Sequence, residues 1–122
     1  MMKEEYVEKY ISLCSMLCKS PDDYNKNKVN NHNKAIRKLI TLREELSKND
    51  ILSYKVYSIL LENADIYIRQ SAATECLNLN IHIEKSEQLL EYIIQKGERM
   101  ASMGAERTLK IWRGEIKPTD PF

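Results

Sequence analysis

Two adjacent alanines, Ala72 and Ala73, sit inside a run from Asn63 to Leu77 that holds neither glycine nor proline. No other stretch constrains the fold as strongly. At about 100° per residue, Ile68, Ala72, Ala73, Cys76, Leu77 and Leu79 share one broad face, and Tyr67, Gln70, Ser71, Thr74 and Asn78 fall opposite. Small residues in an apolar stripe let a neighbouring helix come close, so the run predicts one member of a stack of helices. Arg69 breaks the pattern, because it projects near the middle of the apolar face. A buried guanidinium needs a partner, and Asp65, one turn earlier, is placed to supply one. Arg69 therefore either contacts a ligand or ties packed helices together through Asp65 or a carbonyl; the second is the expectation.

The rest of the chain divides into helices of similar length. The first is expected over about Lys3 to Lys19, with Val7, Tyr10, Ile11, Cys14, Leu17 and Cys18 as its apolar stripe. Ser20-Pro21-Asp22-Asp23 stops it or starts a new turn. Asp22 to Asn33 is polar and rich in Asn and Lys, either an exposed loop or the solvated start of the next helix. That second helix spans about Asn30 to Ser47, carrying Ala35, Ile36, Leu39, Ile40, Leu42 and Leu46. Asp50 is placed to cap a third helix from about Ile51 to Glu62. Asp65 opens the fourth as cap or first-turn acid, and that helix ends near Leu79-Asn80. A fifth covers about Ile83 to Lys96, stopped by Gly97. The sixth covers about Arg99 to Arg113 and ends at Gly114. Lys117 to Phe122 reads as a loose tail.

An internal pattern links these helices. Ala35-x-x-x-Leu39, Ala73-x-x-x-Leu77 and Ala105-x-x-x-Leu109 recur in order, each in the second helix of a pair. Small-then-large at i, i+4 suits a close helix–helix contact. The expectation is an all-α superhelix of about six helices in three antiparallel pairs, forming one domain over residues 1–122.

Composition narrows the function. With 122 residues, 43% hydrophobic and 30% charged, the chain can bury a core of its own. Only 3 glycines and 3 prolines interrupt it, which favours helices. A net charge of +1 argues against a strongly electrostatic nucleic-acid binder. No apolar run approaches the roughly 20 residues of a membrane span, and Met1-Met2-Lys3-Glu4-Glu5 lacks a signal-peptide pattern. A cytoplasmic location is expected, with Cys14, Cys18 and Cys76 as reduced thiols. Cys14 and Cys18 pack as small apolar residues at i, i+4; their spacing, with only His32 and His82 to join them, does not suit a zinc site. No metal or other cofactor is expected.

Catalytic signals are weak. His32 and His82 read as solvated residues near helix starts. Glu4-Glu5, Glu44-Glu45 and Glu84/Glu87 are carboxylate pairs of the kind helix surfaces carry routinely. Phosphate loops, nucleophile elbows and HExxH are missing from the sequence, so an enzyme is not expected. Lys26, Lys28, Lys34, Arg37 and Lys38 form a basic segment, and Tyr24 could stack on a base; a solvated helix face is the plainer reading. Tyrosines offer contact area with a polar tip, and Tyr54, Tyr57 and Tyr67 lie near the centre of the chain, although Tyr57 also suits a core.

The run Tyr67-Ile68-Arg69-Gln70-Ser71-Ala72-Ala73, then Cys76-Leu77, Leu89-Leu90, the Gly97 turn and Ala105 to Gly114, resembles the signature half of a short bacterial HEAT-like family catalogued as a domain of unknown function. The Asn-rich entry Asn30-Asn31-His32-Asn33 is similar as well. The resemblance covers about three quarters of the chain and leaves out the first helix. It implies an α-α superhelix of short helices with Arg69, Ala72, Ala73 and Leu77 as packing positions. Small proteins similar to this are often encoded beside secreted bacterial toxins, and several are thought to be immunity proteins, which is association rather than physics. The expectation is a protein-binding module, most specifically an immunity protein that occludes a cognate toxin; the alternative is a general adaptor or scaffold without a toxin partner. The contact face would be the ridge of second helices, through Lys38, Tyr67, Gln70, Thr74, Asn78 and Lys110.

Overall fold

The computed structural model describes residues 2–18, 26–96 and 99–119. Among them are six helices and no strand: α1 (Lys3–Cys18), α2 (Lys26–Ser47), α3 (Asp50–Leu60), α4 (Ile66–Leu79), α5 (Ile83–Lys96) and α6 (Arg99–Trp112). The all-α expectation holds. The chain divides into two compact units of three helices each, Met1–Leu60 and Leu61–Phe122.

In the first unit α1 packs on α2 and on α3. The Tyr6 hydroxyl donates to Glu45 Oε2 at 3.5 Å, and Arg43 Nη2 donates to the Tyr10 hydroxyl at 3.4 Å. Early α1 thus meets late α2, and the two helices run antiparallel. Tyr10 and Tyr57 are fully buried and meet edge to face, with ring centroids 5.8 Å apart. The Arg43 guanidinium carbon lies 5.8 Å from the centre of the Tyr10 ring, a cation–π spacing. Around this aromatic pair lie Cys14, Ala35, Leu39, Leu42, Leu46 and Val56. Ile36 and Ile40, expected along the apolar side of α2, are exposed instead, because α1 and α3 cover only the stripe through Ala35, Leu39, Leu42 and Leu46.

Two boundaries differ from expectation for local reasons. The Asn- and Lys-rich segment is helical from Lys26 onward, while 19–25, including the Ser20-Pro21-Asp22-Asp23 stop and Tyr24, lie outside the described residues. The cap of α3 is Asn49 rather than Asp50: its Oδ1 accepts from Leu52 N at 3.1 Å, and its carbonyl accepts from Ser53 N at 2.9 Å. Asp50 then falls in the first turn, where a carboxylate still suits the helix dipole.

The second unit has the same topology with another kind of core. Ala72, Ala73, Cys76, Leu77, Leu90, Ile93, Ala101, Ala105 and Leu109 are buried. All six residues of the three recurring Ala-x-x-x-Leu pairs are buried, as small-then-large packing requires. Asp65 caps α4, its side chain accepting from Tyr67 N at 2.8 Å. Asn80, left-handed at φ 57°, closes the helix through Cys76 and Leu77 carbonyls. His82 also has positive φ and starts α5, its carbonyl accepting from Ser86 N at 2.9 Å. At Gly114 the chain turns with φ 76°, ending α6 as expected. Gly97 lies outside the described residues.

Of the expected tail, 117–119 are described and 120–122 lie outside the described residues. Arg107 Nη2 donates to the Pro118 carbonyl at 2.6 Å, which draws the chain after Gly114 back along α6.

Candidate functional site

Helix α4 carries four of the six residues expected to meet a partner, and its environment changes their meaning. Gln70 and Thr74 are half-buried. Thr74 Oγ1 lies 3.3 Å from Thr108 Oγ1, and each hydroxyl also bonds back to the carbonyl four residues earlier, Gln70 or Gly104, at 2.9 and 3.0 Å. The Gln70 carboxamide lies over Gly104, in the space a β-carbon there would occupy. The two contacts repeat one helical turn apart, so α4 and α6 run parallel and in register along this flank. Gln70 and Thr74, expected on an open binding face, thus take part in the α4–α6 contact while keeping part of their surface exposed. A helical wheel shows one helix at a time, and the polar flank of α4 is the flank that α6 covers.

The remaining members scatter. Asn78 is exposed, donates to Glu75 Oε1 at 3.5 Å, and lines a cleft with Thr108, Trp112 and Pro118. Tyr67 is half-buried in the first turn of α4. Lys110 pairs with Glu106 on its own helix at 3.2 Å. Lys38 belongs to the first unit. Within the second unit the structure brings Gln70, Thr74 and Asn78 onto one flank.

Of the expected packing positions, Ala72, Ala73 and Leu77 are buried, and Asp65 acts as a helix cap. The Asp65–Arg69 ion pair is not formed among the described residues, because the carboxylate is committed to the backbone of Tyr67. The carboxylate that feels the Arg69 charge is Glu62. Arg69 is half-buried, and its Nε is covered without a hydrogen-bond partner among the described residues.

Polar clasps close the second unit. Lys85 pairs with Glu62, and this contact holds the Glu62 carboxyl below its ordinary range. Trp112 Nε1 donates to Glu87 Oε1 at 2.6 Å, and Arg113 Nη2 to Glu91 Oε1 at 2.5 Å, which raises the Arg113 guanidinium further. Cys76 is fully buried, and desolvation pushes its thiol to about 12. Such a thiol is protonated and inert near neutrality. Among the described residues there is no group of three or more His, Cys, Asp or Glu placed to hold a metal ion, and no helix is long and apolar enough to cross a membrane.

A concave surface on the first unit lies between α1 and α2. It is a groove of about 580 Å³. Leu13, Met16 and Leu42 form its floor, and Lys9, Arg37 and Lys38 stand along it, with Glu45 at one end. Met16 is 47% exposed. Sequence reasoning placed Lys38 in a contact surface and Arg37 with it in a basic segment, but missed Lys9 and Met16. The available signal was Leu13 and Met16, apolar residues of the first helix that lie outside its main stripe. No protein-family model, curated protein or solved structure matches the chain.

Proposed function

We propose that the chain is a protein-binding helical module, and in its most specific form a bacterial immunity protein that neutralises a cognate toxin by occluding it. The observation that carries this reading is the groove between α1 and α2. Its floor of Leu13, Met16 and Leu42 leaves apolar surface open to solvent, edged by long cationic side chains. Apolar floor with polar rim is the composition of a protein contact. Lys38, taken from the sequence as a contact residue, stands on that rim. The contact surface moves accordingly, from the flank of α4 to the face of α1 and α2. Support for the narrower immunity form comes from the likeness of Tyr67 to Gly114 to the short HEAT-like family. Occlusion asks nothing of the chain beyond affinity and fit, which accords with an inert Cys76.

The test is a tagged pull-down from the native organism, with mass spectrometry of what co-purifies, repeated with Lys38→Glu. One toxin-like domain recovered in stoichiometric yield, and lost with Lys38→Glu while the helical signal is unchanged, is the expected result. Recovery of housekeeping proteins alone would replace immunity with a general adaptor. A chain that returns alone would overturn the protein-binding reading.

A further inference from the structure

The groove constrains the chemistry of its occupant. Its lining carries three cations, Lys9, Arg37 and Lys38, against one carboxylate, Glu45, in a chain whose net charge is only +1. Glu45 already accepts from the Tyr6 hydroxyl. The three cations are exposed, and none has a carboxylate partner among the described residues. Beneath them the floor is Leu13, Met16 and Leu42. The lining runs from Lys9 to Met16 on α1 and from Arg37 to Glu45 on α2. At 1.5 Å per residue that is roughly 10–12 Å, about two turns of a helix lying along the groove.

We infer that the α1–α2 groove seats an amphipathic helix of a partner protein, its apolar stripe on Leu13, Met16 and Leu42 and its polar flanks carrying aspartate and glutamate toward Lys9, Arg37 and Lys38. The inference rests on the protein-binding reading and adds the partner's chemistry to it. The two walls are themselves helices, so a third helix laid between them packs by the ridge-and-groove rules that hold the bundle together. Charge complementarity sets orientation and encounter rate, while the apolar stripe supplies most of the affinity. A nucleic acid fits less well. The described lining has no aromatic ring for a base to stack on, and the floor offers a phosphate backbone nothing but apolar contact.

The experiment is selection from a displayed library of amphipathic helices of about five turns. Stripe positions vary among Leu, Ile, Val, Met and Phe, and flank positions among Glu, Gln and Lys. The full-length protein is the bait, and the best synthetic peptide is then titrated into isotope-labelled protein. Glutamate is expected to be enriched on the flanks, with amide shifts centred on Leu13, Met16, Thr41 and Leu42. Reversing Lys38 to Glu should weaken the selected peptide about tenfold, and Arg37→Glu with Lys38→Glu more than either alone. Met16→Glu, at an exposed position that folding does not depend on, should abolish binding. Raising salt from about 0.05 to 0.5 M should weaken the acidic peptide severalfold.

No preference among Glu, Gln and Lys on the flanks, shifts centred away from the groove, or no enrichment at all would overturn the inference. So would displacement of the peptide by a short single-stranded oligonucleotide at comparable concentration, which would assign the cations to nucleic acid. Failure here, with a native partner still captured in a Lys38-dependent manner, removes the acidic helix and leaves the protein-binding reading intact. Failure of both removes the groove as a contact surface.

Discussion

Around Tyr10 and Tyr57 the first unit packs large rings edge to face, with an arginine over one of them. The second unit fills its centre with Ala72, Ala73, Cys76, Ala101 and Ala105, and sets Gln70 across Gly104. Both are three-helix arrangements in which the first and third helices run parallel and the second returns between them. They differ in what sets the helix spacing. Contact residues fix interaxial distance, so small residues draw helices together until polar side chains at the edge, such as Thr74 and Thr108, become part of the contact. Bulky rings do the reverse between α1 and α3, while Leu13 and Met16 line the edge that α1 shares with α2. The unit built from small residues draws Gln70 and Thr74 into its α4–α6 contact and leaves a cleft of about 330 Å³ beside it; the other unit carries a groove of about 580 Å³ between α1 and α2.

Opposite edits should break the two cores. Tyr57 is fully buried against Tyr10, so Tyr57→Ala removes a ring that nothing nearby can replace and should cost about 3–5 kcal/mol, read from urea denaturation followed by circular dichroism. In the second unit the damaging change is enlargement. Ala105 has no exposed surface, and Ala105→Leu should cost about 1–3 kcal/mol by overpacking. If Ala105→Leu were neutral, the second unit would have slack that close packing does not allow, and the contrast between the cores would fail.

The same contrast explains which parts of the molecule were legible in the sequence. Helix positions followed from apolar periodicity, and the Ala-x-x-x-Leu pairs marked buried positions, because small residues in an apolar stripe have few other uses. Ends were read well where a single residue carries the signal, as at Asp65, Asn80 and Gly114. Asn49 was missed in favour of Asp50 because both side chains can cap, and only backbone geometry chooses between them. The division into two units was not legible, since periodicity says which face is buried and not which helix buries it. The α4–α6 contact of Gln70 and Thr74 was not legible for the same reason, and the groove was missed because it belongs to two helices at once.

Titration offers a third handle on the small-residue core. The Cys76 thiol is held at about 12, against an ordinary value of 9.0. Above pH 9 the unfolded chain therefore releases this proton while the folded chain keeps it. The contribution is complete below pH 9 and is lost as pH rises from 9 toward 12, by about 1.4 kcal/mol at pH 10. The difference in pH dependence between the native chain and Cys76→Ala should show this slope, which isolates the thiol from lysines and tyrosines that titrate in the same range. A flat difference would mean that water reaches the sulfur and that the packing around Ala72, Ala73 and Cys76 is looser than described. A smaller and more local loss, about 1 kcal/mol, is expected for Asp65→Ala, which removes the bond to Tyr67 N at the start of α4.

The smallest effect on stability should come from the residue with most bearing on function. Lys38 is exposed on the rim of the α1–α2 groove and has no carboxylate partner among the described residues. Exposed positions away from caps and cores usually change stability by less than about 0.5 kcal/mol, so Lys38→Glu should denature at nearly the same urea concentration as the native chain. Gln70→Glu is the informative companion. Gln70 lies against Gly104, and its polar end is part of the α4–α6 contact, so a charge there should cost stability, by about 1 kcal/mol if the side chain stays covered. The sequence reading treated Lys38 and Gln70 alike, as members of one binding face. If the two variants proved equally harmless to stability, Gln70 would carry no part of the α4–α6 contact, and the difference between a packed flank and an open rim would disappear.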